Sequence, residues 1–245
     1  MAENWWQDCV VYQIYPRSFQ DSNGDGIGDI PGIIQRLDYL QTLLIDAIWL
    51  SPIFLSPMAD FGYDISDYCS IDPVFGTMAD VERLISEAHK RNIRVIFDMV
   101  LNHTSLEHPW FAESRLSRQS EKADFYIWSD TIPNNWHAAF GGRAWTYDST
   151  RKQYYLHSFL PDQPDLNWRS SKAVEAIFNQ LTFWLDKGID GFRLDVINCI
   201  VKDEALRNNP KIIGSRPRPY DMQRHIFDRN RSEEHTSELQ SRFGI

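Results

Sequence analysis

One short stretch carries two side chains that could do covalent chemistry. Gly188-Ile189-Asp190-Gly191-Phe192-Arg193-Leu194-Asp195-Val196-Ile197 reads as a buried strand over 189–194 that ends by delivering an arginine and a carboxylate. Residues two apart on a strand point to the same face, so Arg193 and Asp195 lie side by side and the cation favours the ionised carboxylate. A carboxylate nucleophile needs that setting, and a structural ion pair at a strand end would look the same. A second run, Asp98-Met99-Val100-Leu101-Asn102-His103, ends with an amide and an imidazole after its carboxylate. A third, Asp60-Phe61-Gly62-Tyr63-Asp64, sets carboxylates beside aromatic rings, which suits a sugar that stacks one face and hydrogen-bonds its hydroxyls. The chain has no Gly-x-Ser-x-Gly elbow, no metalloprotease His/Glu spacing and no clustered cysteines.

A different chemistry is written in Asp21-Ser22-Asn23-Gly24-Asp25-Gly26-Ile27-Gly28-Asp29. Oxygen donors fall at alternate positions: Asp21, Asn23, Asp25, the Ile27 carbonyl and Asp29. This follows a calcium-binding EF-hand loop through its ninth position. The twelfth is Gly32, where that motif needs a bidentate Glu, and no helix precedes the loop. The expectation is a hard-cation site for Ca²⁺ or Mg²⁺ outside an EF-hand module, with an Asp/Asn/Gly turn as the alternative.

The elements that must position these groups alternate in type. Val10 to Tyr15 is a β-rich run stopped by Pro16. Pro31 opens a helix with Ile33, Ile34, Leu37, Leu40 and Leu44 at helical spacing. Asp46 to Leu50 is a second strand. Thr77-Met78-Ala79-Asp80 resembles a capping box with Asp in the Glu place; the helix it starts turns Val81, Leu84, Ile85 and Ala88 inward. Residues 93–98 form the third strand. The periodicity then lapses from His103 to Trp168, a segment too long for an ordinary loop and read as an inserted subdomain over 104–168. Ser170-Ser171 caps a last helix bearing Val174, Ile177, Phe178, Leu181, Trp184 and Leu185, and Gly188 ends it before the strand to Asp195.

This is the α/β pattern of a parallel sheet covered on both sides. Polar residues gather past the strand ends and no glycine-rich phosphate loop follows the first strand, so a barrel is expected rather than a doubly wound sheet. About four β/α units are present, the N-terminal half of a (β/α)8 TIM barrel, divided as 1–103, the insertion, and 169–230. The 245 residues are 42% hydrophobic and 13% aromatic, enough for a substantial core, and a net charge of −9 argues against nucleic-acid or anionic-membrane partners. Cys9, Cys69 and Cys199 are scattered, as expected for the reduced thiols of a cytoplasmic protein. No signal peptide and no membrane span are expected.

Asp98 to His103, Gln163 to Trp168 and Gly191 to Ile197, in this order and spacing, resemble conserved regions of glycoside hydrolase family 13. Within it they are similar to the α-glucosidase and oligo-1,6-glucosidase branch, as are Trp5-Trp6, Tyr12 to Phe19 and the Asp21 to Asp29 loop. The resemblance runs from about Trp5 to Asp228. It implies that Asp195 is the nucleophile of a retaining mechanism and that Arg193 orients it. It further implies that Asp60, Tyr63 and His103 grip the terminal glucose, that Phe140, Phe159 and Gln163 shape the pocket, and that Asp98 is a supporting carboxylate. The implied activity is release of glucose from the non-reducing end of short α-glucosides. Val196, directly after the nucleophile, resembles members that favour α-1,6 links, where Thr accompanies α-1,4 preference.

The resemblance also implies an acid/base Glu after the fifth strand and a further Asp after the seventh. Neither is found: Glu204, Glu233, Glu234 and Glu238 follow no apolar strand. From Arg231 to Ile245 the sequence resembles translated sequencing adapter, and that tail is expected to be non-biological, leaving the chain as written inactive. The alternatives are a family isomerase or transglycosylase, of the sucrose isomerase or trehalose synthase type, and a non-catalytic relative such as a transporter heavy chain. The second would need a membrane span and could dispense with Asp195.

Overall fold

A computed structural model describes residues 5–209. The non-biological tail expected at 231–245, and part of the last catalytic segment, lie outside the described residues.

Four short strands form the central sheet: β1 (Val11–Ile14), β2 (Ala47–Leu50), β5 (Arg94–Val100) and β9 (Gly191–Asp195). All neighbours pair in parallel, in the order β1-β2-β5-β9. A doubly wound sheet reverses its strand order partway; this one never does, which is the barrel pattern expected from the sequence. Register follows: Asp98 on β5 stands opposite Arg193 on β9, and Val100 opposite Asp195. The two carboxylate-bearing strands therefore end level with one another.

The connections are helical. After α1 (Pro16–Phe19), the helix expected from Pro31 is broken into α2 (Ile30–Gln35) and α3 (Leu37–Thr42) at Arg36, whose φ of −102° and ψ of 2° leave the helical range. Ile33, Leu37 and Leu40 are buried, but Leu44 lies past the helix end at φ 56° and is 84% exposed. Its N–H reaches back to Gln41 O, so Leu44 closes the helix and is not part of the apolar stripe. Asp29 caps α2 by accepting from Gly32 N–H at 2.7 Å. A Cβ on Gly32 would stand 2.0 Å from Gln20 O. The position where an EF-hand carries its Glu can hold no side chain here.

Two antiparallel strands that the sequence did not reveal, β3 (Phe54–Leu55) and β4 (Asp67–Ile71), fold the loop after β2 into a hairpin that carries Asp60 and Tyr63. In α4 (Met78–His89) the capping box is complete in both directions, Asp80 standing in for Glu, and the four expected apolar residues are buried. A capping interaction of this kind is worth roughly 1 kcal/mol. The segment between β5 and the last helix holds α5 (Pro109–Ser114) and an antiparallel sheet of β6 (Trp128–Ser129), β7 (Trp145–Asp148) and β8 (Gln153–Leu156), in the order β6-β8-β7. Trp136, Ala144, Trp145 and Leu156 form a small core of its own. Finally α6 (Ser171–Asp186), capped by the Ser170 hydroxyl, buries Ile177, Phe178, Leu181 and Trp184, with Val174 and Leu185 packed at the edge of the main core. Trp184 meets Phe54 and Phe97 with ring centres 5.5 and 5.0 Å apart. Among the described residues no helix is long and apolar enough to cross a membrane.

Candidate active site

The expected residues form two groups joined by Tyr63. In the first, Arg193 and Asp195 leave β9 on one face, as the spacing required. Arg193 Nη1 donates to Asp195 Oδ1 at 2.5 Å and to both oxygens of Asp98 at 3.2 and 3.1 Å. The guanidinium lies 4.8 Å from the Trp49 ring centre, and Trp49 Nε1 donates to Asp98 Oδ2 at 3.1 Å. One cation thus bridges two carboxylates over an aromatic face. Asp98 is fully enclosed, and burial raises its pKa to about 6, with the Arg193 cation opposing the rise and the Asp195 charge adding to it. Burial also costs the Arg193 cation, but the charges of Asp98 and Asp195 outweigh that cost and raise its pKa.

Tyr63 OH donates to Asp98 Oδ2 at 3.4 Å, and burial, followed by the charges of Asp98 and Asp195, pushes its phenol to about 12. Tyr63 therefore remains a neutral donor at any physiological pH. Its backbone carbonyl faces the second group, 3.1 Å from His103 Nε2. His103 is buried, which lowers its pKa and keeps the ring neutral. Gln163 Nε2 approaches the same ring nitrogen at 3.1 Å and donates to Asp60 Oδ2 at 2.8 Å. The Phe159 ring packs 5.2 Å from His103, and Phe140, 65% exposed, packs 5.9 Å from Phe159. Every expected catalytic and substrate-binding residue thus belongs to one connected patch at the ends of β5 and β9, walled by the insertion.

Several members of the patch were not singled out from the sequence. Trp49 was legible only as one apolar residue of a strand, although alternation along β2 sets it on the face that meets Asp98. Asp64 is completely buried and accepts from Ala59 N–H and Asp60 N–H at 2.9 Å each, so it shapes the turn carrying Asp60 and Tyr63. Behind His103 lies a buried ionic group. Lys202 Nζ stands 3.1 Å from Asp165 Oδ2 and donates to Asn102 Oδ1 at 2.6 Å and to the Cys199 carbonyl. A lysine directly after the apolar pair Ile200-Val201 was the available signal. Val196, next to Asp195, has φ 42° and ψ 37°, a left-handed backbone that is a true outlier for a β-branched residue and marks stored strain.

The loop at 21–29 is a separate unit. Asp21 accepts from Asn23, Gly24 and Gly26 N–H at 3.0, 2.7 and 2.8 Å, which lowers its pKa, the Gly26 bond contributing most. Asn23 Oδ1 accepts from Asp25 N–H, and Asp25 Oδ1 from Ile27 N–H. Asp29 points its second oxygen at the Ser22 hydroxyl, 2.7 Å away, and is committed to the helix cap and this turn. Among the described residues no three His, Cys, Asp or Glu side chains gather as a metal cluster. The all-oxygen chemistry of Asp21, Asn23, Asp25 and the Ile27 carbonyl still fits a hard cation, and an ionised carboxylate has lone pairs beyond those its backbone donors use.

The chain matches the alpha amylase catalytic domain over residues 13–243. It is 59% identical over 210 residues to an oligo-1,6-glucosidase of Halalkalibacterium halodurans, covering 84% of this chain and 37% of that protein. It is 54% identical over 209 residues to a trehalose-6-phosphate hydrolase of Bacillus subtilis, covering 83% and 37%. The crystal structure of the alpha-glucosyl transfer enzyme XgtA superposes with a TM-score of 0.92 at 49% identity, covering 97% of this chain and 47% of that one. The chain spans less than half the length of these relatives. With four parallel strands in barrel order and these matches along its length, the chain belongs to glycoside hydrolase family 13, the alpha-amylase catalytic-domain family.

Proposed function

We propose that the complete protein is a retaining glycosidase that releases α-linked glucose from the non-reducing end of short oligosaccharides. The observation that carries this reading is the Arg193–Asp195 pair at the end of β9, 2.5 Å apart and backed by Asp98. In the first step an Asp195 oxygen bonds to the anomeric carbon as the glycosidic C–O bond breaks, and the departing oxygen takes a proton from a carboxylic acid. In the second, water displaces the Asp195 ester and returns the proton to that group. Asp98 is unsuited to be this acid, being enclosed and bound to Arg193 and Trp49. The acid is assigned to the barrel beyond the described residues, and the 245-residue chain alone is expected to leave p-nitrophenyl α-glucoside intact.

Asp60, Tyr63, His103 and Gln163 would hold the glucose hydroxyls, with Phe159 and Phe140 as the apolar wall. Val196 favours α-1,6-linked substrates of the isomaltose type, in line with the oligo-1,6-glucosidase likeness. The likeness to a glucosyl-transfer enzyme supports a second reading, in which an acceptor sugar replaces water in the second step. Ca²⁺ or Mg²⁺ would be held by Asp21, Asn23, Asp25 and the Ile27 carbonyl, with Asp29 behind them, steadying the loop after β1. The scattered Cys9, Cys69 and Cys199, read as reduced thiols, support a cytoplasmic location. The test of the catalytic reading is Asp195→Asn in the complete protein, assayed on isomaltose and maltose. Turnover should vanish while glucose binding persists; substantial residual turnover would remove Asp195 from its role.

A further inference from the structure

The buried Lys202 has no part in the proposed chemistry, yet its neighbours lead straight to His103. The Asn102 amide lies between two opposite charges. Its Oδ1 accepts from Lys202 Nζ at 2.6 Å, and its Nδ2 donates to Asp165 Oδ1 at 3.0 Å. An ammonium can only donate and a carboxylate can only accept, so the two ends of this amide cannot be exchanged. Asp165 is itself fixed by Ser158 N–H at 2.9 Å, by the Ser158 hydroxyl and by Lys202 at 3.1 Å. Asn102, Asp165, Lys202 and Ser158 are all buried.

The clamped amide then presents its N–H side to the neighbouring ring, with Nδ2 3.1 Å from His103 Nδ1. Facing a donor, Nδ1 must be the unprotonated, accepting nitrogen, and the single proton of the neutral ring resides on Nε2. On the far side the Tyr63 carbonyl calls for the same tautomer, while the facing Gln163 amide directs an N–H to Asp60. Nε2 faces the Tyr63 carbonyl at 3.1 Å, and a carbonyl can only accept. Gln163 Nε2, whose orientation is set by Asp60 Oδ2 and by Leu160 N–H on its Oε1, sits 3.1 Å from the same Nε2. Two N–H donors converging there suit an oxygen that accepts from both, as a sugar hydroxyl can.

We infer that Lys202 is a positioning residue: by fixing the Asn102 amide it holds His103 as the Nε2–H tautomer and so makes it a donor toward the substrate. This rests on the glucose-gripping role proposed for His103, but its test does not need activity. The ionisable groups whose charge acts on the ring are Asp165, Asp195 and Lys202.

The experiment is ring-nitrogen NMR of the complete protein labelled with ¹⁵N-histidine, with His103→Gln identifying the resonances. The wild-type ring should give one unprotonated Nδ1 and one protonated Nε2. In Lys202→Met only Asp165 still orients the amide, and both resonances should shift part of the way toward a common averaged position. Lys202→Arg, which keeps the cation, should restore the wild-type pattern. Should Lys202→Met fail to fold, Lys202→Met with Asp165→Asn leaves no uncompensated buried charge and is read in the same way. Asn102→Asp, which puts only acceptors beside Nδ1, should move the proton to Nδ1. A wild-type ring protonated on Nδ1, or a folded Lys202→Met or double variant with unshifted resonances, would overturn the inference. A His103 that changes tautomer while glucoside KM stays constant would instead count against the proposed grip of His103 on glucose.

Discussion

Arg193→Met tests the electrostatics of the site at their centre. Methionine keeps a chain long enough to cover Trp49 and removes the charge. The lost contacts are 3.2 and 3.1 Å to Asp98 and 2.5 Å to Asp195. Asp98 would keep only Trp49 Nε1 at 3.1 Å and the weak Tyr63 hydroxyl contact at 3.4 Å. Stranding one partner of a buried pair costs about 3–5 kcal/mol, provided the stranded group stays charged. Asp98 already titrates at about 6 rather than 3.8 with Arg193 in place, because burial outweighs the cation. A carboxylate whose folded pKa is raised binds its proton more tightly in the native state, so stability is lost as pH rises through the window from about 4 to about 6. That loss is about 3 kcal/mol in the wild type at 1.36 kcal/mol per pKa unit. Without Arg193 the folded pKa moves higher, and the loss continues above pH 6. The difference between variant and wild type should therefore be small at pH 5, where Asp98 is protonated in both. It should grow to at most about 3 kcal/mol by pH 8, about two pH units above the wild-type pKa at 1.36 kcal/mol each. Urea denaturation of the complete protein followed by circular dichroism and tryptophan fluorescence reads this directly. A difference that is equal at the two pH values, or smaller at pH 8, would refute the picture of Asp98 as a buried carboxylate held by Arg193.

Other outcomes follow from the same geometry. Val196→Gly should relieve the left-handed strain at φ 42° and stabilise the protein by about 1 kcal/mol, since an L side chain costs roughly 1–2 kcal/mol there; an unchanged unfolding midpoint would deny the strain. Val196→Thr should move the ratio of isomaltose to maltose kcat/KM toward maltose, and an unchanged ratio would discard the linkage argument. Calcium added to the metal-stripped protein should raise the Tm, and Asp21→Asn with Asp25→Asn should abolish the rise. A shift that survives the double change would place the cation elsewhere.

What could be read in the sequence was whatever a local rule fixes. Arg193 and Asp195 share a face because strand geometry leaves them no choice, and Thr77 with Asp80 closes a capping box because three residues separate a hydroxyl from a carboxylate. Helix breakage at Arg36 was not legible, because the apolar spacing continues through it and tertiary packing decides where the axis turns. Leu44 fitted the stripe by count yet lies beyond the helix end. The hairpin of β3 and β4 was hidden in a loop, since pairs of so few residues leave little alternation to detect. The Lys202, Asp165 and Asn102 group joins residues up to 100 positions apart, and no local pattern announces such a contact.

Trapping the covalent intermediate tests the central claim most directly. The complete protein would be treated with a fluorinated glucosyl fluoride, which forms the glycosyl ester quickly and releases it slowly, and the peptides then analysed by mass spectrometry. The proposed mechanism predicts one fluoroglucosyl group on the peptide containing Asp195, and none on it in Asp195→Asn. A label on another carboxylate, or inactivation that leaves the Asp195 peptide unmodified, would contradict it.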